Sequence, residues 1–107
     1  MIRVTTFEMD GISLKIASMS VNEADAFVES GNALLAKMKA GEEVNPKIWL
    51  QRRNDCILAS LNKVPQENKW TEARLKDELD LPTLAALHDK ILEFSGLKTG
   101  EATAAAE

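Results

Sequence analysis

On both sides of Asp10-Gly11 apolar and polar positions alternate, and from residue 20 onward the apolar period lengthens to that of a helix. The Asp-Gly pair suits a two-residue type I′ turn, which needs positive φ at both central positions. Counting outward from that turn pairs Met9 with Ile12, Phe7 with Leu14 and Thr5 with Ile16 on one face, and puts Glu8 opposite Ser13 on the other. Residues 1–18 are therefore predicted to form a β-hairpin. Two strands alone are marginal in water, so the apolar face requires a helical bed and the two edges stay open to other strands.

Helix signals follow in order. Ser20 and Glu23 have capping-box spacing and open a helix over about 21–39, with Ala24, Phe27, Val28, Gly31, Leu34, Leu35 and Met38 along its inner face. Asn45-Pro46 supplies an N-cap and an N1 proline for a second helix over about 46–63, whose stripe is Leu50, Ile57, Leu58, Leu61 and Val64. Trp49 falls off that stripe on a flank with Cys56, one turn from Arg53, so this helix has apolar coverage for two partners. Thr71 caps a short helix over about 72–79, and Asp80 caps a last one over about 82–95 with stripe Leu84, Leu87, Ile91 and Phe94. Gly96 is placed as a left-handed C′ residue, with Leu97 reaching back to Leu92. The fold class is thus α+β: an N-terminal hairpin on three to four helices in one domain, 1–98, followed by a flexible alanine-rich tail, 99–107.

Length and composition add bounds. A chain of 107 residues with 45% hydrophobic and 28% charged residues fits one core and excludes general disorder. No apolar run is long enough for a membrane span, the N-terminus lacks the layout of a signal peptide, and a lone Cys56 points to a reducing compartment. The net charge of −4 is uneven: residues 45–70 carry five basic and two acidic groups between two acidic flanks. Opposed patches of this kind can join copies of a chain, and self-association is expected through the hairpin edge at Ile2 and Val4 and through Lys47 and Arg52.

Candidate chemistry is sparse. His88 lies on the apolar side of the last helix with no orienting partner, and Cys56 has no activating signature, so both read as structural. The carboxylates Asp77, Glu78 and Asp80 lack a calcium-loop pattern and read as a solvated helix end. Lys47, Arg52 and Arg53 around Trp49 fall short of a basic stripe, so nucleic acid is not an expected partner. An enzyme is not expected, nor is any metal or cofactor. What remains is apolar surface in excess of one core's needs, rich in Trp and Met, which suits association with other proteins.

The order of these elements resembles a family. TTFEMDGISLKIASMSVNEADAFVE near the start, LNKVPQENKWTEARLKDELDLPTLAALHDKILEFSGLK later, and the Gly-Glu-Ala tail make the chain similar to the tail assembly chaperones of tailed bacteriophages and prophages. The resemblance covers most of the chain but carries no catalytic signature. It implies a non-enzymatic protein of the host cytoplasm, not expected in the mature virion, that binds and solubilises the long tape measure protein. It would then hand that client to tail-tube subunits, the task of a longer frameshifted form for which residues 99–107 would be the linker. Trp49, Arg53, Trp70, Phe94 and Leu97 are the residues expected to hold the client. Alternative readings are a structural virion component, such as a head–tail completion or tail-terminator subunit, and a small nucleic-acid-binding regulatory module.

Overall fold

The computed structural model describes residues 2–97. It has the α+β architecture expected: a two-stranded antiparallel hairpin, β1 (Val4–Met9) and β2 (Ile12–Ala17), laid against the helices α1 (Val21–Lys39), α2 (Pro46–Lys63), α3 (Glu72–Glu78) and α4 (Leu81–Phe94). Residues 98–107, which hold the proposed tail, lie outside the described residues.

The hairpin register is the one its turn dictates, from Met9↔Ile12 through Phe7↔Leu14 and Thr5↔Ile16 to Val4↔Ala17. Asp10 and Gly11 adopt φ of 48° and 82°, the left-handed pair a type I′ turn demands. Phe7 and Ile16 point inward and are buried. The free edge of β2 is tied to α2 by one hydroxyl: Ser60 Oγ accepts from the Ala17 N–H at 3.0 Å and donates to the Ala17 carbonyl at 2.7 Å. A single side chain thereby satisfies both backbone groups of Ala17, the last residue of that edge.

Every helix start predicted from its cap has that cap. Ser20 and Glu23 form the reciprocal capping box, Asn45 accepts from Lys47 N–H, Thr71 from Arg74 N–H and Asp80 from Thr83 N–H. The last helix ends as its glycine requires: Gly96 sits at φ 87°, and Leu97 N–H donates to the Leu92 carbonyl at 2.7 Å.

The core lies where the hairpin, α2 and α4 meet. Ile16, Ile57, Leu61, Leu75, Leu87 and Ile91 are its sealed centre. Two assignments from the period shift once packing is known. On α2 the inward positions are Asn54, Cys56, Ile57, Ser60 and Leu61, while Leu50 stays 46% exposed, because the helix buries its C-terminal half under β2 and leaves its first turns outside. Along α1 only part of the expected stripe is buried, namely Phe27 and Gly31, and Met38 is 51% exposed.

Candidate functional site

Because α1 meets the body over a short stretch, a groove of about 720 Å³ is left between α1 and α2, floored by Ala17 and Met19 at the end of β2. One wall is Ala26, Phe27, Ala33 and Leu34 of α1; the other is Ile48, Cys56 and Ala59 of α2. The three alanines keep the walls low, and the larger apolar groups stand between them.

Two polar bridges span the helices. Arg52 reaches from α2 so that its guanidinium lies 3.6 Å from the Phe27 ring centroid; Nε donates to Ser30 Oγ at 2.8 Å, and Nη2 donates to the Phe27 carbonyl. That carbonyl and hydroxyl satisfy two edges of the planar fork while the ring takes its face, a set of contacts lysine cannot reproduce. Burial lowers the pKa of Arg52 from its ordinary value, although a guanidinium keeps its charge. Lys63 makes the other bridge, pairing with Glu23 and donating to the Ser18 carbonyl at 3.3 Å. Partial burial works to raise the Glu23 carboxyl, but hydrogen bonds from Lys63 and Ser20 outweigh it and hold it below the usual value.

The two candidate reactive groups near the groove are quenched by their surroundings. Burial pushes the Cys56 thiol up to about 12, with Arg52 offsetting only part of the effect, so no thiolate is present at neutral pH. His88 is pushed down to about 4, first by burial and then by Arg52 and Arg53. Its ring meets Phe27 edge-on at 5.7 Å, and its Nε2 is buried without a hydrogen-bond partner among the described residues. A neutral imidazole so placed is a packing group under α1 and a poor base. Among the described residues no three His, Cys, Asp or Glu side chains group closely enough to hold a metal ion, and no helix is long and apolar enough to cross a membrane.

The residues singled out in the sequence are dispersed. Trp70 is in the core at 7% exposure, drawn there by a reciprocal pair in which its N–H donates to Asn62 Oδ1 at 2.8 Å and its carbonyl accepts from Asn62 Nδ2 at 2.9 Å. Arg74 covers its outer face at 3.8 Å. Phe94 and Leu97 sit at the far end of α4, where the Arg3 guanidinium lies 4.6 Å over the Phe94 ring and donates to its carbonyl at 2.6 Å. Trp49 is half-buried, and the cation beside it is Arg52, 5.9 Å from the ring, whereas Arg53 turns to Asn54 Oδ1 at 3.2 Å. Ile2 and Val4 are exposed at the hairpin edge. Lys47 and Arg53 come together on a second cleft, of about 850 Å³, between α2 and the start of α4, with Leu50 and Leu81 on its walls.

The groove residues Ala26, Ser30, Ala33 and Ala59 carry little signal in the sequence. The available hint is that Ala26, Ser30 and Ala33 recur at i, i+4 and i+7, a second face of α1 beside its apolar stripe. Comparison with protein-family models, with curated proteins and with solved structures finds no match to this chain.

Proposed function

We propose that this protein is a non-enzymatic tail assembly chaperone whose α1–α2 groove holds apolar helical segments of a tape measure protein. In this reading it works in the host cytoplasm, keeps its client soluble until tail-tube subunits polymerise around it, and is left out of the mature virion. A longer frameshifted form would bring the tube subunits.

The observation that carries the reading is the groove itself: an apolar channel between two helices, walled by alanines low enough to admit another helix, on a domain whose core is already closed elsewhere. A client helix that laid its apolar stripe there would remove both surfaces from water, worth roughly 25 cal/mol per Å² before the costs of association. The two polar groups that cross the groove are already committed, Arg52 to Ser30 and Phe27 and Lys63 to Glu23, which leaves Lys37 near the C-terminal end of α1 as its one cation whose side chain makes no ion pair or hydrogen bond among the described residues. Little remains to recognise a polar small molecule, and a helix-in-groove mode relies on shape and apolar anchors instead.

Co-expression with a long helical tape measure fragment tests this. The wild-type protein is expected to raise the soluble yield of the fragment and to co-purify with it. Ala33→Glu and Ala59→Glu, both at exposed groove positions, are expected to abolish that while leaving the far-ultraviolet circular dichroism unchanged. Unchanged rescue by both variants would remove the groove from the account. No rescue by the wild-type chain, or its presence in purified particles, would remove the chaperone.

A further inference from the structure

We infer that the occupant of the α1–α2 groove is an amphipathic helix with a carboxylate one turn beyond its apolar stripe, and that this carboxylate pairs with Lys37 and sets which way the helix lies. The inference rests on the reading of the groove as a helix site and adds a charge and a direction to it.

The two walls run in opposite directions. Glu23 of α1 pairs with Lys63 of α2 at one end, Ser30 accepts from Arg52 midway, and Lys37 and Ile48 line the other end. Their macrodipoles therefore oppose each other, and the backbone gives an incoming helix no preferred direction. Side-chain charge has to supply it. The Glu23–Lys63 end is closed by its own ion pair, and Arg52 spends its fork and face on Phe27 and Ser30. Asp55, the remaining charged group of the α2 wall, accepts from Gln51 at 2.8 Å.

Lys37 is different. It is exposed, and its side chain makes no ion pair or hydrogen bond among the described residues. Glu42 meets it through the backbone, its N–H donating to the Lys37 carbonyl at 3.0 Å. Apolar groups stand around the ammonium at this end: Ile48 on the opposite wall is 47% exposed, and Leu34, one turn back, is half-buried. A helix that covered them with apolar side chains alone would strip water from Lys37 and return nothing. A carboxylate at that point offsets the loss.

The spacing says where the carboxylate belongs. Ala26, Ser30, Ala33 and Lys37 follow one another at i, i+4, i+7 and i+11, so they form a single exposed ridge along α1. Ala26 and Ala33 are separated by about 10 Å along the axis, and Lys37 lies about 6 Å further. A helix laid along this ridge matches it with two large apolar residues seven positions apart over the alanines and an Asp or Glu four positions beyond the second. Those three positions share one face of the incoming helix.

Three alanine-based helical peptides test the pairing, each with Leu at i and i+7 and with Glu, Gln or Lys at i+11. In fluorescence anisotropy the full chain is expected to bind the Glu peptide about threefold more tightly than the Gln peptide and about tenfold more tightly than the Lys peptide, with the differences shrinking as salt is added. Lys37→Glu is expected to reverse that order. A nitroxide beside the peptide Glu is expected to broaden the amide resonance of Gly41, past the C-terminal end of α1, and to spare that of Ser20 at the other end. Equal binding of the three peptides by wild type, or the wild-type order kept in Lys37→Glu, would overturn the pairing while leaving the groove as an apolar helix site. Broadening of both ends alike would overturn the direction. Binding of none of the three would remove the helix site and the pairing with it; a fall in the protein's own association on Lys37→Glu would then give that end of the groove to a second copy. The peptide series on wild type decides the matter even where the variant does not fold.

Discussion

Helices α1 and α4 carry apolar stripes of the same period, yet they end in different surroundings. Among the fourteen residues of α4, Thr83, Leu84, Leu87, Ile91 and Leu92 are buried, held between the hairpin and α2. Of the nineteen in α1, Phe27 and Gly31 are. The difference follows from what each helix has on its sides: α4 is enclosed by β1 and α2, whereas α1 touches the body chiefly through Phe27, which meets His88 of α4 and Arg52 of α2. One stripe closes the core, and the other leaves a wall of apolar surface in water. An amphipathic pattern thus states that a helix has a partner without stating whether the partner is in the same chain.

The sharpest way to break this comparison is to truncate one leucine in each helix. Leu87→Ala removes a side chain with no solvent exposure and is expected to cost about 2–5 kcal/mol in urea unfolding. Leu34→Ala, at the half-buried groove wall, is expected to cost less than about 1 kcal/mol, since the site can lose methyl groups to water without leaving a cavity. Equal losses would mean that α1 is as integral to the core as α4.

Next in size is the acid response of the contact between α1 and α4. His88 has its folded pKa lowered from 6.5 to about 4, so the fold favours the neutral ring. Above pH about 6.5 neither state binds the proton and the contribution is constant. As pH falls below that, the unfolded chain takes the proton first and stability drops, levelling once the folded ring also titrates near 4; the loss is on the order of 2–3 kcal/mol. His88→Gln is expected to flatten that fall between pH 6.5 and 4.5 in denaturant titrations, leaving the lower-pH decline to carboxyls held below their usual values by hydrogen bonds, Glu23, Glu72 and Asp80. An unchanged slope in the variant would show that the ring is solvated in solution.

Much of the fold was legible because its signals are local. Asp10-Gly11 alone sets a six-pair register, and Ser20, Asn45, Thr71, Asp80 and Gly96 mark helix ends through contacts within a few residues. The candidate site was not legible in the same way. Trp70 reads as an interface residue by type, but its placement depends on Asn62, eight residues away, whose amide pairs with both of its backbone groups. Arg52 and Arg53 are adjacent in sequence, and only the crossing of α2 over α1 decides that the first stacks on Phe27 while the second faces the other cleft. The groove is the space between two helices. Its low points are Ala26, Ala33 and Ala59, and a small side chain gives only a weak sign of whether it is buried or exposed.

A smaller effect than that of His88 bears most directly on α1. Arg52 is its principal polar tie to α2, through the Phe27 ring, the Phe27 carbonyl and Ser30 Oγ. Arg52→Ala leaves the buried body intact, and the carbonyl and hydroxyl it served can be rehydrated from the open groove, so the cost in global stability is expected to be about 1 kcal/mol. The local consequence is larger than the global one. With the stack gone, α1 retains Phe27 against His88 and the Lys63–Glu23 pair at its first turn, and its amides are expected to exchange with deuterium faster while those of α4 do not change. Arg52→Lys keeps the charge but not the planar fork, and should exchange like the alanine variant rather than like wild type. If α1 and α4 instead lost protection together, the two helices would belong to one cooperative unit, and the groove would be a fixed feature of the core rather than a surface held open by one arginine.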